Sequence, residues 1–202
     1  MATPTDSSSR TAGAALATAG AVFLTGTMLG ASIAPGYDFH GGAISDLGVV
    51  SETAALFNGL LILVGALNVA GGYLLFRSHR RMWLLAAYVL GGVGAIGAGL
   101  RPLDTGMVHA LFALVGFVFF NVEAIGTGRI VSGPMKAISV VAGVVGLIYV
   151  AVMVIGDGGN PAVFGSIGHG GSERMIVYPA MLWLLTFGGF LLARDERRSQ
   201  AE

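Results

Sequence analysis

Apolar residues in this chain come in six long runs, with polar residues gathered between them. A helix needs about 20 apolar residues to cross the hydrocarbon core of a bilayer. Runs of about that length cover residues 11–32, 53–76, 82–100, 107–127, 136–155 and 175–193. The pattern predicts an all-α polytopic membrane protein, with six transmembrane helices in one bundle spanning residues 11–193. Residues 1–10 (MATPTDSSSR) read as a disordered cytoplasmic tail, and residues 194–202 as a second cytoplasmic tail. The first run is longer than the core of a cleaved leader, and Pro35 follows the nearest small-x-small site at Ser32–Ala34, so it is read as a true span.

The connections between runs alternate in character. Arg10, Arg77, Arg80, Arg81, Arg129, Lys136, Arg194, Arg197 and Arg198 fall on one side, and only Arg101 and Arg174 on the other. Basic residues mark the cytoplasmic side. The chain is therefore expected in the cell membrane as a multi-pass protein with both termini cytoplasmic. Two long glycine-rich loops lie on the outer side: IAPGYDFHGGAISDLGVVSE (33–52) and GDGGNPAVFGSIGHGGSER (156–174). Each ends close to a Ser-Glu pair before a span. Ser51 and Ser172 are expected to cap the orphan N–H groups of the next helix, with Glu52 and Glu173 suiting the helix dipole. The echo between the loops also suits an internal repeat, which would place a site between its halves.

Composition removes several alternatives. At 54% hydrophobic and 11% charged, the chain has no separate soluble domain of useful size. A net charge of zero supplies no reason to expect a nucleic-acid partner. With no cysteine, disulfides, thiolate zinc sites and iron–sulfur clusters are excluded. No phosphate-binding glycine fingerprint occurs in a usable context, so no nucleotide is predicted. Haem is not predicted either, because only His109 is embedded in a span and a facing axial partner is missing. The 33 glycines include Gly91, Gly92, Gly94, Gly97 and Gly99 in the third span and the Gly26–Gly30 pair in the first. Small residues let helices approach closely in lipid. Such faces serve packing within the bundle, a membrane-protein partner or a second copy of the chain.

Candidate chemistry concentrates on the outer side. His40, His109 and His169 come from three segments at one membrane level, and three imidazoles with a carboxylate suit one divalent metal with an open position. The same residues also suit a hydrogen-bond network tying the two loops together. Asp46, Asp104 and Glu173 are candidates, with His109, for acid–base work. Arg101 and Arg174, each close in sequence to a carboxylate (Asp104 and Glu173), are expected either to form ion pairs or to hold an anionic group with Tyr37 and Asp38. Deeper in the spans lie Asn58, Asn68 and Glu123. Glu123 follows His109 by 14 residues, about 21 Å along the same helix face. Such intramembrane polar groups turn toward the bundle interior, where a carboxyl–amide bond between helices is one outcome.

SIAPGYDFHGGAISDLG (32–48), the Phe57-Asn58 pair, Arg101-Pro102-Leu103-Asp104, His109 opening the fourth span and Ser172-Glu173-Arg174 opening the last form a distinctive set. Together they resemble the prokaryotic integral membrane protein family catalogued as domain of unknown function number 998, over roughly residues 15–193. The resemblance implies the six-helix architecture and carries no activity. The residues themselves favour an outward-facing polar site that binds or modifies a membrane lipid or a lipid-linked headgroup. The alternative is a non-enzymatic structural subunit or small carrier of a membrane complex.

Overall fold

A computed structural model describes the backbone of residues 4–199 and the side chains of residues 8–194. It contains the helices α1 (Pro4–Ile33), α2 (Ala54–His79), α3 (Met82–Leu100), α4 (Met107–Thr127), α5 (Pro134–Asp157) and α6 (Gly168–Ser199). Short 3-10 turns at Ile44–Gly48, Leu103–Thr105 and Pro161–Ile167 shape three of the connections. Each long helix carries a stretch apolar and long enough to cross a membrane.

Each helix packs against its neighbours in the chain, and α6 returns to pack along α1, so the six close into a ring. Glycine sets how near the helices come. A Cβ at Gly65 on α2 would press into the carbonyl oxygen of Gly92 on α3, and one at Gly94 on α3 would meet the backbone of Gly116 on α4. Gly188 on α6 faces the Gly13 carbonyl of α1 in the same way, and Gly26 faces Leu60. The glycine faces of α1 and α3 are thus spent on the chain's own helices, where close backbone contact supplies the packing that lipid cannot drive. Trp183, Tyr88 and Phe187 fill the interior, while Met28, Leu63, Val141, Val154 and Leu182 point outward. Trp183 donates from Nε1 to the Ser139 hydroxyl at 2.8 Å, which joins α6 to α5.

Several boundaries differ from expectation. Helix α1 runs back to Pro4, so residues 4–10 are helical where a disordered tail was expected; Met1–Thr3 lie outside the described residues. Proline is at home in the first turn of a helix, and nothing from Thr5 to Arg10 breaks one. Helix α6 likewise continues past Ala193 to Ser199, and residues 200–202 lie outside the described set. Bilayer thickness limits the apolar run, and a helix is free to extend beyond it.

The start of α6 is the larger change. GHGGSER was read as loop, yet the helix begins at Gly168. Ser172 therefore sits inside α6, where its hydroxyl donates to the Gly168 carbonyl at 2.9 Å. Ser51 is no cap either: its hydroxyl donates to Glu52, and α2 begins after Thr53. The glycines at this helix start answer a tertiary need. A Cβ at Gly168 would strike the His40 carbonyl, and one at Gly170 the Gly42 carbonyl, so only glycine admits the first loop against the first turn of α6.

Candidate functional site

The polar residues of the two long loops meet at one end of the ring, and α6 provides the anchor. Arg174, in the second turn of α6, donates from Nη1 to the carbonyls of Gly170 (2.7 Å), Phe39 (3.1 Å) and Gly42 (3.3 Å). Its Nη2 donates to the Tyr37 hydroxyl at 2.6 Å. The guanidinium also stands 4.8 Å from the Phe39 ring centroid and 5.6 Å from that of Tyr37, within reach of the ring quadrupoles. The Tyr37 hydroxyl itself lies 2.8 Å from the Ala43 carbonyl, and its pKa is raised by burial against the opposing pull of Arg174. Arg174 therefore gathers residues 37–43 over the end of α6.

Beside it, Glu173 turns inward and is only 5% exposed. Its Oε2 accepts the Ile44 N–H, which pins the 3-10 turn Ile44–Gly48 across the ring. Thr53 and Asn58 hold the far side of that turn. The Thr53 hydroxyl donates to the Leu47 carbonyl at 2.8 Å, and Asn58 Nδ2 to the Gly48 carbonyl at 2.9 Å. Asn58 thus fastens a loop at the end of α2, which is where its place early in the span puts it. Asp38 accepts the N–H groups of His40 and Gly41, and those two bonds hold its carboxyl below the usual range.

Under this lid, between the helices, lies a cavity of about 70 Å³. Ile44 and Ser45 of the lid lie over it, with His109 and Glu173 at the same end. Its walls are apolar: Phe57, Leu61 and Val64 from α2, Ala95 and Ala98 from α3, Phe117 and Phe120 from α4, and Ile176 and Val177 from α6. Asn121 also lines it, 12 residues beyond His109 and so about 18 Å further along α4. Asn121 Nδ2 donates to the carbonyls of Phe117 and Ile176. At about 30 Å³ per water, the cavity holds about two waters or a short length of chain.

His109 is 4% exposed, and its Nδ1 lies 2.7 Å from the Arg101 carbonyl. A carbonyl only accepts, so Nδ1 carries the proton, and in the neutral ring Nε2 is left as an acceptor. The other two histidines sit elsewhere. The backbone of His40 accepts the Gly170 N–H, and its side chain is exposed beside Gly168. His169 pairs with Asp157 at 3.2 Å and packs edge-on to Phe164. Among the described residues, no group of three or more His, Asp or Glu side chains is gathered so as to hold a metal ion. The three-histidine metal set considered from the sequence is therefore corrected: the His109 ring is bonded to the Arg101 carbonyl, the His169 ring is paired with Asp157, and the His40 ring is exposed.

The expected ion pairs are corrected too. The His169–Asp157 contact is the only ion pair among the described residues. Arg174 Nη1 and Nη2 donate to the Phe39, Gly42 and Gly170 carbonyls and to Tyr37, while Glu173 turns toward Ile44. Arg101 and Asp104 are exposed on either side of Pro102 and Leu103, and Asp46 is half-buried in the lid turn. Deeper in the ring, Asn68 Nδ2 donates to Glu123 Oε2 at 3.0 Å. Glu123 shares a face with His109 but does not line the cavity. Sequence reasoning omitted Ser45, Thr53 and Asn121 from the site. A polar residue in an apolar run was a usable signal for Asn121; nothing local marked the other two.

Six membrane-length helices closed into a ring make this a multi-pass α-helical membrane protein. Over residues 17–189 the chain matches the family described as protein of unknown function (DUF998), and it belongs to that family. No curated protein and no solved structure matches it.

Proposed function

We propose that the protein binds a membrane lipid or lipid-linked molecule, with part of its apolar chain in the central cavity and its polar end near His109 and Glu173. The observation that carries this reading is the lining: apolar from five helices, with a buried histidine and a buried carboxyl together at the lidded end. Ligand sites commonly combine apolar walls with a few placed polar groups. His109 would accept a hydrogen bond at Nε2, and the lid turn would part from Glu173 to admit the polar end. Charge asymmetry supports placing the lidded end on the non-cytoplasmic side, since Arg77, Arg80, Arg81, Arg129 and Lys136 all lie at the other end.

The test is photo-crosslinking of the purified protein with photoactivatable acyl and isoprenoid-phosphate probes, with adducts mapped by mass spectrometry. Adducts are expected on α4 and α6 residues of the cavity. Ala113→Phe, which fills the cavity, should lower labelling by about tenfold, or about 1.4 kcal/mol. His109→Asn keeps a donor for the Arg101 carbonyl and removes the Nε2 acceptor, so it should alter headgroup preference while the melting temperature holds. Equal labelling in wild type and a folded Ala113→Phe variant refutes the reading and leaves a non-enzymatic structural subunit or small carrier of a membrane complex.

A further inference from the structure

The polar layer below the cavity is independent of that reading. Asn68 on α2 and Glu123 on α4 belong to helices that are not neighbours in the ring, yet their side chains meet behind α3. Both residues are completely buried. A Cβ at Gly91 of α3 would stand 3.4 Å from Glu123 Oε2 and 3.5 Å from Asn68 Nδ2, so α3 walls the pair with little more than backbone. The orientation of the amide is settled by chemistry. Asn68 Nδ2 also lies 3.0 Å from the Tyr88 carbonyl, which only accepts, so the nitrogen and not the oxygen must stand there. That leaves two buried oxygens without a hydrogen-bond partner, Glu123 Oε1 and Asn68 Oδ1.

These orphans are complementary. Each is the remaining oxygen of a planar group whose other polar atom already joins the pair. With a bare carboxylate, both are acceptors lacking a donor, an arrangement that buried polar groups seldom tolerate. No cationic side chain among the described residues pairs with Glu123. The hydroxyl of buried Tyr88 is paired with that of Thr127 at 3.1 Å.

We propose that Glu123 and Asn68 form an intramembrane proton-binding site, in which one proton on Glu123 Oε1 is donated to Asn68 Oδ1. The acid and the amide then make two reciprocal hydrogen bonds and tie α2 to α4. Removing the proton breaks one bond and sets two acceptors against each other, so the loaded site favours the closed ring.

Infrared spectroscopy of the full-length protein in lipid tests this directly. At neutral pH the wild type should show a protonated-carboxyl C=O band that disappears in Glu123→Gln. Asn68→Leu should keep the band but shift it, because the acid then lacks its amide partner. Glutamine reproduces a neutral donor–acceptor pair, so Glu123→Gln should melt close to wild type, whereas Glu123→Ala should melt about 5 °C lower or more. Identical carboxyl bands in wild type and Glu123→Gln would overturn the proposal. It also fails if Glu123→Gln is as destabilised as Glu123→Ala. A melting temperature raised by sodium over choline in wild type alone would assign the site to a metal cation instead.

Discussion

Replacing Arg174 by alanine isolates the clamp that holds the first loop on α6. The substitution removes two Nη1 hydrogens shared among three carbonyls and one Nη2 bond to Tyr37. The Gly170 carbonyl belongs to α6 itself; the other three acceptors lie in the partly exposed first loop, where water can replace the lost donors, so each of those bonds contributes at the low end of its range, about 0.5–1 kcal/mol. Contacts with the Phe39 and Tyr37 rings add about 0.5–1 kcal/mol. The sum is about 3 kcal/mol, or on the order of a hundredfold in the equilibrium for lifting the loop. Hydrogen exchange reads that equilibrium at three amides. Gly42 N–H is bonded to the Asp38 carbonyl, Gly170 N–H to the His40 carbonyl and Ile44 N–H to Glu173. All three should lose protection together, while amides in the middle of α2 and α4 keep theirs. Arg174→Lys retains the charge but loses the fork, so it should recover only part of the loss. If protection of the three amides changes by less than about threefold in Arg174→Ala, the lid is held by packing and the clamp argument is wrong.

Two further outcomes test other parts of the structure. Gly146→Ala would place a Cβ into the Asn121 amide, so it should destabilise by about 1–3 kcal/mol in thermal unfolding, and Asn121→Ala in the same chain should restore part of the loss. Because the Asp38 carboxyl is held below its usual pKa by the His40 and Gly41 N–H groups, its contribution to the loop is complete above the ordinary Asp range. That contribution is lost as pH falls through the lowered folded value. Exchange at the His40 and Gly41 amides should therefore be flat through neutral pH and rise, after correction for intrinsic rates, only under strongly acid conditions.

Membrane architecture was legible in the chain because it depends on local quantities. Apolar length and its polar breaks are properties of contiguous residues, and α3 and α4 begin and end where the runs do, at 82–100 and 107–127. Assignment to an interior face was readable for Glu123 and Asn68 by the same logic, since charged and amide groups avoid lipid. Helix α6 shows where that logic stops. Its glycine-rich opening reads as loop by propensity, and it is helical because Gly168 and Gly170 let the first loop pack against it. The three histidines were grouped by membrane level, a one-dimensional coordinate, whereas metal ligation requires convergence within a few ångströms in three. Glu173 and Arg174 are adjacent in sequence, which suited an ion pair as one of two readings, the other being an anion-holding arginine. On a helix, adjacent residues point about 100° apart, so Glu173 reaches inward to Ile44 and Arg174 reaches across to residues 37–42. The anchoring of the first loop by Glu173 and Arg174 rests on contacts between residues more than a hundred positions apart, and only the closing of α6 onto α1 brings them together.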